Sequence, residues 1–154
     1  MQIDVLPIES VIPYIRNPRD NSGAVDKVAA SLKEFGFRQP IVVDEEMVVI
    51  AGHTRLLAAK KLKLTEVPIH IATTLTKQQV KAYRLADNRV SQEAVWDNDL
   101  LALELDELKL DDYDLDLTGF DVDEIADLLA DDPSEGLTDE DSVPEIRDSG
   151  NESG

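Results

Sequence analysis

The fold is decided by the stretch Val48-Val49-Ile50-Ala51-Gly52-His53-Thr54-Arg55-Leu56-Leu57-Ala58-Ala59, where an apolar run stops at a glycine. A short continuous apolar run is typical of a buried strand. Residues 54–62 have the composition of a helix. Because glycine has no Cβ, it lets the backbone come close to a ligand. The stretch therefore predicts a strand-to-helix junction with space for a ligand beside Gly52.

The first turn of the predicted helix suits a phosphate group. The N–H groups at a helix start have no partner inside the helix, and the macrodipole gives that end a partial positive charge. Arg55 adds a guanidinium fork that binds phosphate oxygens in pairs. Two interpretations stay open from these residues alone. The junction is either a phosphate site or an ordinary turn, in which the glycine is conformational and the arginine is solvated.

His53 is a candidate catalytic residue. An imidazole titrates near neutral pH, so His53 would donate to a phosphate or act as an acid or base; the alternative is a structural or exposed histidine. His53 and His70 are the only histidines and there is no cysteine. We therefore expect no zinc site, whereas magnesium carried by nucleotide phosphates stays open.

The flanking segments predict an α/β (α+β) domain with a small sheet and surrounding helices. Apolar residues recur at helical spacing from Val25 to Phe35, and Gly36 follows as a helix end. Thr76-Lys77-Gln78-Gln79 matches a capping box, which predicts a helix through about Asn88. The predicted strands lie at about residues 3–8, 41–43, 47–50 and 67–72, the middle two forming a hairpin.

The end of that last helix brings acids, amides and cations together. One interpretation is a frayed helix end. In the other, Asp87 and Asn88 reach a metal–phosphate group while Arg84 and Arg89 bind anions.

Charge divides the chain. Residues 1–90 hold 13 Lys and Arg against 10 Asp and Glu, about +3, whereas residues 91–154 hold 2 against 23, which is −21. The net charge is −18. We predict a domain at 1–92, an acidic helical extension at 93–130 and a disordered acidic tail or linker at 131–154. DNA binding by the whole chain is expected to be weak, since phosphate contacts need cations.

Several protein classes are excluded by composition. The absence of cysteine excludes disulfides and a cysteine nucleophile. No apolar run approaches the ~18 residues that a membrane span needs, and the first ten residues lack the basic start of a secretory signal. We expect a cytoplasmic protein without a membrane partner.

Four motifs, in this order, resemble the N-terminal domain of the ParB partition proteins over about residues 3–92. They are Asn17-Pro18-Arg19, Gln39-Pro40-Ile41-Val42-Val43, the Gly52–Ala59 run and Ala86-Asp87-Asn88-Arg89. The resemblance implies a ParB/sulfiredoxin-like fold with a small mixed sheet. It also implies a nucleotide triphosphate or diphosphate with Mg²⁺, the metal being held through Asp87 and Asn88. The implied nucleotide and phosphate contacts are Arg38, Gln39, Gly52, His53, Thr54, Arg55, Asp87, Asn88 and Arg89.

The sequence departs from that family in three ways. His53 stands where partition proteins usually have Glu, and Thr54 stands where they have Arg, so one cation is lost and the nucleotide preference is open. Sulfiredoxins have their catalytic cysteine at the position of His53, which excludes sulfinic-acid reduction. Partition proteins continue into a helix-turn-helix domain, but residues 91–154 have the wrong charge for DNA, so we do not expect a complete partition protein.

A closer resemblance is to the ParB-like domain that precedes some phage and bacterial DNA methyltransferases. It rests on Ala24-Val25-Asp26-Lys27-Val28-Ala29, on the run from Gly52 to Leu62, and on Leu117-Thr118-Gly119-Phe120-Asp121. The methyltransferase motifs Asp/Asn-Pro-Pro-aromatic and Phe-x-Gly-x-Gly are absent from the chain. The chain is therefore not expected to methylate DNA by itself.

These observations leave three hypotheses. The leading one is a regulatory module that binds nucleotide or nucleic-acid phosphate, used in DNA modification or partition, with DNA, a DNA-modifying protein or a second copy as partner. The alternative is an NTP hydrolase, nuclease or small-molecule kinase with His53 or an acid such as Glu34 as base. The third is an acidic docking or DNA-mimicking surface beside a vestigial box.

Overall fold

The apolar runs pair into one four-stranded sheet with the order β1-β4-β2-β3. Its strands are β1 (Asp4–Pro7), β2 (Ile41–Val43), β3 (Val49–Ala51) and β4 (Glu66–Ile71). The β1–β4 and β2–β3 pairs are antiparallel and the β2–β4 pair is parallel, so the predicted small mixed sheet and its hairpin are confirmed.

The computed structural model describes residues 1–17, 22–93 and 95–130. The chain divides into two compact units, Met1–Ala94 and Val95–Gly154. The tail predicted at 131–154 lies outside the described residues.

The core of the first unit lies on one face of the sheet, where the two central strands are most buried. Ile41 and Val43 of β2 and Val67 and Ile69 of β4 have no exposed surface. Leu56, on the helix that follows β3, is equally buried against them. Burying each such side chain contributes about 1.5–3 kcal/mol, so these residues hold the helix at a defined place on the sheet.

Three helices surround the sheet: α1 (Val25–Phe35), α2 (His53–Lys61) and α3 (Lys77–Glu93). α1 packs on α2, and α3 contacts β3. The predicted capping box at the start of α3 is confirmed, because the Thr76 N–H donates to Gln79 Oε1 at 2.9 Å and the Gln79 N–H donates to Thr76 Oγ1 at 3.1 Å.

The predicted end of α3 is wrong. The helix continues five residues beyond Asn88 to Glu93, so Asp87 and Asn88 lie within it rather than at a frayed end. Residues 89–93 contain neither glycine nor proline, and an established helix adds residues readily when nothing stops it.

The second unit is an acidic helical hairpin, described to residue 130. It contains α4 (Asn98–Leu110), a 3₁₀ turn at Leu115–Thr118 and α5 (Val122–Ala130). The Asp97 carboxylate caps α4 by accepting from the backbone N–H groups of residues 99 and 100. Within the described ranges, no helix is long and apolar enough to span a bilayer.

Candidate functional site

The strand-to-helix junction forms as the sequence predicts. β3 ends at Ala51, Gly52 takes a left-handed conformation with φ +96°, and α2 begins at His53. The first backbone bond of the helix runs from the Leu56 N–H to the Gly52 carbonyl at 3.0 Å. The N–H groups of residues 53–55 therefore have no partner inside the helix and form a positive end suited to an anion. We call residues 52–55 the box.

A cavity of about 190 Å³ opens at the box. β3 and the start of α2 form one side, α3 forms another, and the loop after β1 contributes Tyr14 and Asn17. Of the predicted site residues, the structure brings together Gly52, His53, Thr54, Arg55, Asp87 and Asn88 around this cavity.

The Arg55 guanidinium bridges the box and the start of β2. Its Nη2 donates to the Pro40 carbonyl at 3.0 Å, and its Nη1 donates to Gln39 Oε1 at 3.3 Å. Each terminal nitrogen carries two hydrogens, so one N–H of each is left for a ligand. Burial lowers the pKa of Arg55, and the nearby Asp87 carboxylate partly opposes that shift. The guanidinium still carries its charge at neutral pH.

Two buried polar atoms at the box lack a hydrogen-bond partner. Over the part of the chain that the structure describes, the buried side-chain nitrogens and oxygens without one are His53 Nδ1 and Arg55 Nε. A buried polar atom left unpaired costs about 1–3 kcal/mol, so it calls for a physical reason. Both atoms belong to side chains that line the same cavity, where hydrogen-bonding groups of a ligand or of ordered water would be their nearest partners from outside the protein.

The surroundings of His53 favour the neutral form of its imidazole. Burial lowers the pKa of His53, and the positive charge of Lys60 lowers it further. A neutral ring has one nitrogen that accepts and one that donates, so His53 is able to accept a proton or donate to a phosphate oxygen at neutral pH.

Arg84, which also lines the cavity, fixes its α3 side, a structural role that the sequence did not indicate. Its Nε donates to the Val49 carbonyl at 2.8 Å, and its Nη2 lies 3.5 Å from Asp44 Oδ2. Its Cζ is 3.9 Å from the centre of the Tyr14 ring. These contacts hold α3, with Asp87 and Asn88, against β3.

Three other predicted contacts lie outside the residues that line the cavity. Arg38 donates from Nε to the Phe35 carbonyl at 2.8 Å and so closes the end of α1. Gln39 meets the site through its bond to Arg55. Arg89 is exposed on α3. Glu34, the alternative base, is exposed on α1 and does not line the cavity.

The residues at the cavity fit a magnesium ion that is shared with phosphates. Asp87 and Asn88 offer oxygen ligands, which magnesium prefers. Among residues 1–17, 22–93 and 95–130 no group of three or more His, Cys, Asp or Glu side chains is placed to hold a metal. A magnesium ion at this cavity would therefore need phosphate oxygens or water to complete its coordination.

The sequence matches two protein-family models. The ParB N-terminal domain model matches residues 1–89, and the ParB-methyltransferase HTH domain model matches residues 99–150. The second match starts within α4 and runs past residue 130, where the described residues end. The resemblance carried by Leu117-Thr118-Gly119-Phe120-Asp121 indicates this methyltransferase-associated family, and the match confirms it. Charge and periodicity alone indicate no DNA-reading element in that region.

Two relatives show how the match is distributed. The ParB-like nuclease domain-containing protein YnaK of Escherichia coli K12 is 36% identical over 80 residues, which cover 51% of this chain and 92% of YnaK. A probable chromosome-partitioning protein ParB of Campylobacter jejuni is 34% identical over 92 residues. That match covers 56% of this chain but 33% of the relative, so the chain spans about a third of that partition protein.

The fold is shared with a solved ParB structure. A C-terminally truncated chromosome-partitioning protein ParB from Caulobacter crescentus, crystallised in complex with CTP-γ-S, superposes with a TM-score of 0.69 at 23% identity. The superposition covers 84% of this chain and 77% of the other. Since a ParB N-terminal model accounts for residues 1–89 and the match to YnaK spans nearly all of that relative, the chain belongs to the ParB N-terminal domain family.

Proposed function

We propose that the cavity at the box binds a nucleotide through its phosphates, and that this binding regulates an action on DNA. The observation that carries the proposal is the pair of buried, unpaired nitrogens, His53 Nδ1 and Arg55 Nε, on side chains that line one cavity at a helix start. The described residues supply no partner for either atom, and a ligand bound in the cavity would provide one.

An anionic ligand suits the charges around the cavity. The helix start and the Arg55 guanidinium are positive, and Gly52 leaves the backbone open to close approach. The Thr54 hydroxyl adds a donor beside them. Asp87 and Asn88 would hold Mg²⁺ that arrives with the phosphates, so the negative charge of Asp87 does not repel the ligand.

The size of the cavity favours the phosphate portion of a nucleotide. Small-molecule sites usually have volumes of about 300–1,000 Å³. At about 190 Å³ this cavity is smaller, so we expect it to hold the phosphates while the base lies outside.

The relatives support a role in DNA transactions. One neighbour of the same fold binds CTP-γ-S, and relatives are named as chromosome-partitioning proteins. The ParB-methyltransferase HTH match supports a role in DNA modification. We infer a cytoplasmic regulatory module, acting beside DNA or a DNA-modifying protein and able to pair with a second copy.

Calorimetry of the full chain with CTP, GTP, ATP and ADP, each with and without Mg²⁺, tests the proposal. We expect at least one nucleotide to bind with Mg²⁺, and the Arg55→Ala variant to bind it at least tenfold more weakly. Lys81→Ala is the matched control, because Lys81 is an exposed cation on α3 that does not line the cavity. No heat with any nucleotide would reject nucleotide binding, and equal loss in both variants would reject the box as the binding site.

A second candidate function is hydrolysis of a nucleotide or of DNA. The observation that favours it is that His53 Nδ1 is buried and unpaired, while the lowered pKa keeps the ring in its neutral form, the form in which a general base acts. The name of YnaK also contains the words ParB-like nuclease domain.

Turnover of labelled nucleotide, and nicking of plasmid DNA with Mg²⁺, test this second candidate. The rate should fall at least tenfold in His53→Ala and stay unchanged in His70→Ala, since His70 does not line the cavity. A rate unaffected by His53→Ala would exclude the base, and no turnover in the unaltered chain would exclude the enzyme.

A further inference from the structure

α4 has apolar residues on two opposite faces. Ala102 and Leu105 are buried, with 8% and 2% of their surface exposed. Leu100, Leu103 and Leu110 are 61%, 54% and 78% exposed. With 3.6 residues per turn, those three leucines fall within about a quarter of the helix circumference, on the side opposite to the buried pair. We call Leu100, Leu103 and Leu110 the outer stripe.

Carboxylates surround the outer stripe. All four acidic residues of α4 are exposed, and helical geometry places them on the same half of the helix as the stripe: Asp99, Glu104, Asp106 and Glu107. Lys109, the single basic residue between positions 95 and 130, falls on the other side, next to Ala102. The same segment holds thirteen acidic residues, so the unit as a whole is strongly negative.

This surface is opposite in charge to one that binds DNA. Residues 99–150, which include most of this unit, match a helix-turn-helix model. A DNA duplex carries one negative charge per about 1.7 Å of its axis, so proteins bind it through cations. The carboxylates of α4 would repel a phosphate backbone. They would also repel the identical α4 of a second copy, which argues against self-association through this face.

We propose that the outer stripe docks a cationic amphipathic helix of a partner protein. Leucines of the stripe would pack against the apolar face of such a helix, and the surrounding carboxylates would attract lysines or arginines along its edges. The unit that matches a DNA-reading model thus serves as a protein-recruiting element in this chain. This inference stands independently of nucleotide binding at the box.

Fluorescence anisotropy with the full chain tests the docking. The probe is an 18-residue labelled peptide with leucine on one helical face and lysine on the other, and the control peptide has the same composition in scrambled order. We expect the amphipathic peptide to bind at least tenfold more tightly than the scrambled one. Because both peptides carry the same charge, simple charge attraction would make them equal.

Two double variants locate the site. Leu100→Ser/Leu103→Ser should weaken binding of the amphipathic peptide at least tenfold. Leu85→Ser/Val90→Ser should leave the affinity for this peptide unchanged. This double variant is a matched control because Leu85 is 54% exposed, as Leu103 is, and Val90 is 66% exposed. The emission of Trp96, the single tryptophan, shows whether the second unit stays folded in each variant.

Four outcomes would overturn the proposal. They are equal binding of the two peptides, equal loss in both double variants, no binding to the full chain, or loss of duplex DNA binding or of a dimer in Leu100→Ser/Leu103→Ser. No binding to the full chain would mean that another part of this chain covers the stripe. Loss of DNA binding or of a dimer would mean that the occupant is DNA or a second copy.

Discussion

The guanidinium of Arg55 lies over the Cα of Gly52. A Cβ at position 52 would stand 2.9 Å from Nη2 and 3.2 Å from Nε and Cζ of that side chain. Gly52 is therefore required for two reasons, its φ of +96° and the space that Arg55 occupies.

Gly52→Ala should displace Arg55 from the start of β2. The positive φ strains alanine, and moving the guanidinium weakens its bond to the Pro40 carbonyl. We expect a loss of about 1–3 kcal/mol in the free energy of unfolding and at least a tenfold loss in nucleotide affinity. Urea unfolding and calorimetry measure the two effects.

Two other glycines separate the causes. Gly119 has φ +90°, and nothing lies within 4 Å of the position that a Cβ would take there, so Gly119→Ala should show backbone strain alone, about 1 kcal/mol. At Gly23 nothing lies within 4 Å of the position of a Cβ, and the backbone is not in the left-handed region. Gly23→Ala should therefore change the free energy of unfolding by less than about 0.5 kcal/mol. Nucleotide affinity unchanged in Gly52→Ala would contradict the proposed role of the box.

Arg84→Lys should destabilise the first unit although it keeps the charge. Lysine cannot make the fork that joins the Val49 carbonyl to Asp44, nor lie flat over Tyr14. We expect a loss of about 1–3 kcal/mol, measured as the urea midpoint at constant m-value. Lys81→Ala, on the exposed side of the same helix, is the control, and equal stability of Arg84→Lys and the unaltered chain would rule out this role.

Asp87→Asn should change the two modes of anion binding in opposite directions. Without Mg²⁺, losing a negative charge beside Arg55 should tighten nucleotide binding, because the carboxylate repels phosphate. With Mg²⁺, the neutral amide replaces a charged carboxylate that would hold the metal, so nucleotide binding should weaken. Calorimetry with and without the metal measures both effects; Asp106→Asn, far along the chain on α4, is the control. Changes of the same sign would exclude magnesium at Asp87.

The lowered pKa of His53 makes stability depend on pH in one direction. Burial, followed by the Lys60 charge, disfavours the protonated ring in the folded state. Above pH 6.5, the ordinary pKa of the ring, His53 is neutral in both the folded and the unfolded chain, and its protonation does not affect stability. As the pH falls below 6.5, the unfolded chain takes up the proton first, so the free energy of unfolding decreases.

Chemical unfolding between pH 5 and 8 checks this sign. The free energy of unfolding of the unaltered chain, minus that of His53→Gln, should be constant above pH 6.5 and decrease below it. Lys60→Ala should make the decrease smaller, since one cause of the lowered pKa is gone. A difference that does not vary with pH would show that His53 is not perturbed by its surroundings.

Local signals accounted for the elements that position the box. The glycine between an apolar run and a helical run predicts the junction, and the Thr76–Gln79 capping box predicts the start of α3, because both depend on residues within a few positions of one another. The end of α3 was not predicted correctly, because no residue directly after Asn88 is one that typically ends a helix.

Contacts across the sheet were not predictable from pattern. Arg84 meets Val49 and Asp44 from 35 and 40 residues away, and the involvement of Tyr14 depends on the loop after β1 reaching the same edge. Arg38 shows the converse, because a bond to a carbonyl three residues earlier already engages the side chain that resemblance assigned to the ligand.

The parallel pairing of β2 with β4 has a practical consequence. The chain between these strands carries β3, Gly52 and α2, so the box lies inside the crossover that joins two central strands. An unfolded chain has no such arrangement, and any bound compound must stabilise the native state by mass action, about 2.7 kcal/mol at a hundredfold excess over Kd. Melting temperatures recorded across a panel of phosphorylated metabolites would thus identify compounds that bind the native chain.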